Sequence, residues 1–256
     1  MKYWIWLSEL SGTGPKLQKD LLAHFGNPED IYNAGIEELV KVPGIGNMKA
    51  GKIIESRSLE RPEKIERDCE NLGIKMMSIE HSEYPKRLIG NIEMPVLLYY
   101  RGNPEVLNRI EHTAGIVGPR KCSRYGRGKA IEIAEDLTGK GYAIISGMAL
   151  GADSYAHTAC LRKDGFTVAV LGNGIDICFP SAHKDLKRAI EKRGLIISQY
   201  APGVPAEEFT FPMRNKLIAG LSDEVYVVTP GRRSGSLITL EFAEKYGKKT
   251  TLIPDL

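Results

Sequence analysis

The sequence predicts an α/β protein: a Rossmann-like, doubly wound, mainly parallel sheet preceded by a small all-α domain of helix-hairpin-helix or SAM-like type. Three observations predict it. From residue 95 onward, short apolar runs alternate with amphipathic stretches. Glycines gather immediately after those runs. A GxG turn leading into a helical pattern occurs twice within the first 75 residues. With 256 residues, 42% of them hydrophobic, the chain can bury the core that such a fold requires.

In chain order, residues 1–75 read as helical. Leu10-Ser11-Gly12-Thr13-Gly14 leads into 15–22, and Val42-Pro43-Gly44-Ile45-Gly46 leads into 47–54, with apolar positions at helical spacing (Leu17, Leu21, Leu22; Ala50, Ile53, Ile54). The second copy has the form of a helix-hairpin-helix, and the first that of a degenerate partner. Such hairpins can present N–H groups to a phosphate or serve as plain folding units, and both readings stay open. A polar stretch at 78–87 separates this domain (1–75) from a second one (76–256). There 95–101 reads as a strand, followed by strand candidates at 114–117, 143–146, 167–171, 195–198, 224–228 and 250–253. Helical candidates lie between them at 125–139, 152–163, 182–193, 214–221 and 236–246. Apolar runs of this length, separated by helices, imply parallel strands covered on both faces.

Composition excludes several classes. No apolar run approaches the roughly 20 residues of a membrane helix, and the apolar start (1–7) meets Ser8-Glu9 before a signal-peptide core can form. A cytoplasmic protein with no membrane insertion is expected. Cys69, Cys122, Cys160 and Cys178 form no CxxC pair, and the histidines (24, 81, 112, 157, 183) form no HExxH. Neither a disulfide framework nor a metal site is expected. Gly46 to Lys52 fits GxxxxGK, but Ile53 stands where a P-loop needs Ser or Thr, and no strand precedes it.

Net charge is +3, from 35 Lys+Arg against 32 Asp+Glu. The first 75 residues carry 11 basic and 12 acidic side chains, whereas 76–256 carry 24 and 20. Arg120, Lys121, Arg124, Arg127 and Lys129 lie together with no acid among them. Ligands of doubly wound folds bind beyond the C-terminal strand ends. There the sequence places Gly118-Pro119-Arg120-Lys121, Ser146-Gly147, Gly172-Asn173-Gly174 and Gly231-Arg232-Arg233-Ser234-Gly235-Ser236. Bare backbone, helix starts and arginines together favour an anionic ligand. A dinucleotide is disfavoured because neither Gly118-Pro119-Arg120 nor Gly172-Asn173-Gly174 completes GxGxxG. No GxSxG elbow is present. Phe211-Pro212-Met213-Arg214-Asn215 adds an aromatic, a cation and an amide, with Phe179 and Phe209 in comparable loops. Polyanion binding is the better fit.

These motifs in their order, from Tyr84-Pro85 through Gly115-Ile116-Val117-Gly118-Pro119-Arg120, Ser146-Gly147-Met148-Ala149-Leu150-Gly151-Ala152-Asp153, Ala156-His157, Phe211-Pro212-Met213-Arg214-Asn215 and Arg233-Ser234-Gly235-Ser236, resemble the DNA-processing protein A family (DprA, also called Smf). The resemblance spans about 84 to 254 and implies a binding protein rather than an enzyme. It implies that the protein binds single-stranded DNA, loads the RecA recombinase onto it in natural transformation, needs no cofactor and forms a homodimer. Carried over by position, Arg120 and Arg214 pair with phosphates. Gly118, Ser146, Gly147, Ser234, Gly235 and Ser236 supply donors, Phe211 and Asn215 line the groove, and Lys121, Arg232 and Arg233 add charge. Asp153 and His157 are expected to fix a loop by internal hydrogen bonds. Pro119 departs from the Ser or Thr more usual in the family, and the sequence stops just after the last strand candidate, where many members continue into a winged-helix-like domain.

The rival reading is an enzyme, a nucleoside-monophosphate phosphoribohydrolase of the lysine-decarboxylase-like family or a nucleotide-sensing relative. Its PGGxGTxxE signature is loosely approached by Pro230-Gly231, Gly235-Ser236 and Glu241. Here the glutamate comes two places late, which turns it to another side of its helix.

Overall fold

The computed structural model describes residues 1–231 and 234–255. Helices α1 (Lys2–Glu9), α2 (Pro15–Phe25), α3 (Pro28–Asn33), α4 (Ile36–Leu39), α5 (Asn47–Glu55) and α6 (Glu60–Leu72) come first. Next are β1 (Lys75–Ser78), β2 (Leu97–Gly102), α7 (Pro104–Arg109), β3 (Thr113–Val117), α8 (Arg124–Gly139), β4 (Ala143–Ser146), α9 (Ala152–Arg162) and β5 (Thr167–Leu171). The chain then runs through α10 (Lys184–Arg193), β6 (Leu195–Ser198), α11 (Thr210–Leu221), β7 (Glu224–Val228), α12 (Gly235–Lys245) and β8 (Lys249–Ile253).

The two GxG turns adopt nearly the same geometry. Gly14 caps α2 at φ −79°, ψ 172°, and Gly46 caps α5 at φ −94°, ψ 175°. Each hairpin buries the middle residue of its turn and one residue of the helix that follows, Thr13 and Gln18 in the first, Ile45 and Ala50 in the second. The first is also tied to the segment before β2, where Lys19 donates to the Asn91 carbonyl at 2.6 Å, while Met48 on the second is 79% exposed. Helices α2 to α5 close a core around Trp6, Leu21, Ile31, Leu39, Val42, Ile45 and Ile53. By contrast, Ile5 of α1 and Ile65 and Cys69 of α6 pack with Leu97, Tyr99, Ile190 and Ile196. The first and last helices of this segment therefore cover one end of the sheet.

The sheet has eight strands in the order β1-β2-β6-β5-β4-β3-β7-β8. From β6 to β8 all neighbours are parallel, while β2 runs antiparallel to both β6 and β1. Strands β3 to β6 are buried along their whole length, as strands covered on both faces must be. Ala130, Ala134 and Ala156 let α8 and α9 pack closely on one face, and Leu217, Ile218, Leu221 and Ala243 place α11 and α12 on the other. The edge strand β8 is partly exposed, with Leu252 at 51%.

Helix α11 starts at Thr210, so Phe211 to Asn215 form its first turn and a half rather than a loop before residue 214. This aims Phe211, Arg214 and Asn215, spaced i, i+3, i+4, toward one side. No helix among the described residues is long and apolar enough to cross a membrane.

Candidate functional site

Strands β3, β4, β5 and β7 end on the same edge. The chain moves outward from β3 through β4 and β5 to β6, then returns to place β7 on the opposite side of β3. The loops after β3 and β7 diverge, which opens a crevice at the topological switch point. A cavity of about 530 Å³ lies there, walled by residues 117–120, by Ala149 and Asp153, by Phe211, Arg214 and Asn215, and by Gly231, residues 234–236 and Thr239. A smaller hollow adjoins it, sharing Arg120, Ala149, Phe211 and Arg214 and reaching Gly147, Gly172 and Phe179.

Arg214 is the centre of the site. It is only 6% exposed; Nη1 donates to the Val170 carbonyl at 3.0 Å, and Nε is buried without a partner. Among the described residues no carboxylate forms an ion pair with it. Burial disfavours its charge, and the carboxylate of Asp153 works in the opposite direction. A guanidinium stays protonated in proteins, so this is a desolvated cation short of acceptors. Gly147 makes its place. A Cβ there would fall 2.7 Å from Nη2 and closer still to Cζ and Nη1, so the guanidinium lies directly on bare backbone.

The Phe211 ring connects this buried cation to an exposed one. Its centroid is 5.9 Å from Cζ of Arg214 and 5.2 Å from Cζ of Arg120. Phe179, 43% exposed, approaches the same ring at 5.9 Å and 37°. A planar group entering the cavity can stack here while its charge meets either arginine.

Asp153 accepts from the backbone N–H groups of Gly147 at 3.1 Å and Ala149 at 3.3 Å. Burial raises its carboxyl pKa, against the opposing effects of Arg214 and of these donors. It fixes the loop that carries Gly147. His157, fully buried, meets Thr167 Oγ1 at 2.6 Å through Nδ1. Thr167 spends its hydroxyl hydrogen on the Ile144 carbonyl at 2.7 Å, so Nδ1 is the donor and the ring is the neutral Nδ1–H tautomer. Burial first, then Arg214 and His183, push its pKa down to about 3.

At the start of α12, Ser234 Oγ accepts from the N–H of Ser236 at 3.3 Å and lies 2.7 Å from Ser236 Oγ. Asn215 donates to the Gly235 carbonyl at 3.1 Å, tying α11 to that helix start. The amino end of α12 thus faces the cavity opposite the loop after β3, and α9 starts beside it.

Of the residues singled out in the sequence, Gly118, Arg120, Phe211, Arg214, Asn215, Ser234, Gly235 and Ser236 meet at the large cavity, and Gly147 at the smaller one. Ser146 is withdrawn from it: fully buried, it donates its hydroxyl hydrogen to the Ile116 carbonyl at 2.6 Å. The Gly147 N–H is likewise spent, on Asp153. Lys121 is exposed and outside the lining. Arg232 and Arg233 lie outside the described residues. Thr239 was missed, although its i+3 spacing from Ser236 on a helix should have found it. Glu241, on which the enzyme reading depends, is exposed and does not line the cavity. Among the described residues no group of three or more His, Cys, Asp or Glu side chains could hold a metal.

An α/β sheet whose switch-point crevice holds a buried cation with no ion pair among the described residues, a second arginine and an aromatic ring between them is chemically suited to an anion with a planar part. Residues 75–256 match the DNA recombination-mediator protein A family, and residues 7–57 match the SAM-like helix-hairpin-helix tandem. The chain belongs to the DNA recombination-mediator protein A family. It is 34% identical to protein Smf of Synechocystis over 99% of this chain and 64% of that one, and 40% identical to the DNA processing protein DprA of Streptococcus pneumoniae over 67% and 60%. The matched region is thus under two thirds of the length of these curated relatives. The X-ray structure of the pneumococcal protein superposes with a TM-score of 0.85 at 30% identity, covering 100% of this chain and 87% of that one. A Helicobacter pylori structure, described for its single-stranded DNA binding mode, superposes with a TM-score of 0.65 at 28% identity over 71% and 82%.

Proposed function

We propose that this protein binds single-stranded DNA in the switch-point cavity and acts as a recombination mediator, loading RecA recombinase onto incoming DNA as a homodimer during natural transformation. The observation that carries the binding step is Arg214, a desolvated guanidinium that lines an open cavity and whose Nε has no acceptor. A phosphate supplies what the protein withholds. Arg120 at the mouth adds a second phosphate contact, and Phe211 offers a face to a base. An unpaired base can reach that ring, whereas a base stacked in a duplex cannot, which favours single strands. The similarity to the H. pylori protein supports the same ligand.

The test is an oligonucleotide titration of single and double strands across salt concentrations. Tighter binding of the single strand is expected, with affinity falling linearly in log salt. Arg120→Ala should weaken it and flatten that slope by about 0.7. Parent-like binding by both Arg120→Ala and Arg214→Lys would remove the cavity from the reading. A RecA filament-assembly assay on coated single strands tests the mediator step, and sedimentation tests the dimer.

A further inference from the structure

We propose that the first two turns of α8, with Tyr155 of α9, form a second contact surface for the same single strand where it leaves the cavity. The inference rests on the cavity reading. Arg120, Lys121, Arg124, Arg127 and Lys129 follow one another without an acid. Among the described residues only Lys129 has a carboxylate partner, Glu132 at 2.8 Å. Arg120, Lys121, Arg124 and Arg127 are all exposed. At the start of α8 Asp255 accepts from the Ser123 hydroxyl at 2.8 Å. Four solvated cations in eight residues repel one another, and a polyanion relieves that repulsion.

This surface is continuous with the cavity. The loop carrying Arg120 rests on the start of α9: Ala152 N donates to the Pro119 carbonyl at 3.4 Å, and a Cβ on Gly151 would lie 2.7 Å from the Arg120 carbonyl oxygen. One turn further along α9 stands Tyr155, partly exposed, with the Arg127 guanidinium over its ring at 5.0 Å. Lys129 lies 5.9 Å from the Tyr125 ring in the same way. Aromatics interleaved with cations make a stacking platform, and the outer face of a guanidinium laid on a ring can itself take a base. The exposed side of α9 adds only Ser154, Thr158 and Arg162, so no carboxylate opposes a phosphate there. Two helical turns extend the path by about 11 Å beyond Arg120.

The experiment uses the full chain and compares oligothymidylates of about 6 and about 20 nucleotides, the short one filling the cavity alone. For Arg124→Ala/Arg127→Ala, affinity for the 20-mer should fall roughly tenfold and its log–log salt slope should flatten by about 1.4, one increment for each phosphate no longer neutralised. Hexamer binding should stay within about twofold of the parent. Tyr155→Leu should weaken the 20-mer and not the hexamer. A double variant that binds the 20-mer like the parent, or loses both oligonucleotides equally, overturns the proposal. If the parent binds both lengths equally well, the cavity reading stands and this surface falls. If the parent binds neither, the cavity reading itself has failed.

Discussion

Gly147 has its N–H engaged by Asp153, yet the structure makes its substitution one of the most informative. Its backbone is fully buried and not in the left-handed region, so alanine is conformationally acceptable there. The nearest obstacle is Arg214: the new Cβ would lie 2.7 Å from Nη2 and nearer to Cζ and Nη1. The guanidinium must move, breaking the Nη1 bond to the Val170 carbonyl, and a hydrogen bond to a charged group contributes about 1.5–3 kcal/mol. Gly147→Ala should therefore destabilise by about 2 kcal/mol, which in a chain of this size lowers the melting temperature by roughly 4–8 °C. Single-strand affinity should fall with it. The decisive measurement is a double-mutant cycle by urea unfolding. With Arg214 already alanine the obstacle is gone, and Gly147→Ala should cost less than about 0.5 kcal/mol or even stabilise by restricting the unfolded chain. An equal cost in both backgrounds would refute the account of why glycine stands there.

Other consequences can be checked separately. The folded-state pKa of His157, about 3, lies below the ordinary 6.5, so the unfolded chain takes up the proton first and stability falls as pH drops from about 6.5 toward 3. Between pH 7 and 5 the loss should be about 2 kcal/mol, and His157→Gln should remove that part of the urea-unfolding difference. Gly151→Ala should be more damaging than Gly147→Ala, because φ is +82° and the Cβ would strike the Pro119 and Arg120 carbonyls, backbone that cannot swing aside; a melt should show a loss of more than about 3 kcal/mol. Removing residues 1–75 should lower the melting temperature and expose apolar surface to a hydrophobic dye, since Ile5, Ile65 and Cys69 cover Leu97 and Tyr99. Lys49→Ala/Lys52→Ala on the exposed second hairpin is the cleaner test of DNA contact there, and a change in duplex or single-strand affinity of less than about twofold would mark that hairpin as a folding unit.

The parallel core was legible because its strands are short, apolar and separated by helices of matching length. The expected spans at 143–146, 167–171, 195–198 and 224–228 coincide with β4, β5, β6 and β7. Of the antiparallel extension only β2 was legible, as the strand expected at 95–101, and β1 was not. Lys75–Ser78 is four residues long, contains two methionines and shows no alternation, and only its register against Leu97–Tyr100 makes it a strand. Helix α11 begins four residues before the expected 214, with Pro212 inside its first turn, where proline is well tolerated. The division of the helical segment was also hidden. The two GxG turns look equivalent in sequence and bury equivalent positions, and only the tertiary structure shows that Lys19, after the first, reaches the Asn91 carbonyl.

Within the site, residue type showed which side chains could meet an anion, while burial determined which are free to do so. Ser146 looks like a donor at a strand end, but the adjacent strand claims its hydroxyl. Asp153 looks like an acid in a cleft, but the loop amides claim its carboxylate. Arg214 is one of 35 cations in the sequence, and its neighbours Phe211 and Asn215 mark it as a candidate without showing that, unlike Arg120, it is buried. Its distinction arises from strand order. Placing β7 beyond β3 opens the crevice, α11 carries the arginine over the ends of β4 and β5, and Gly147 lets it lie flat on the backbone. Desolvation then turns an ordinary positive charge into one with acceptors missing, and that deficit is what a phosphate would fill.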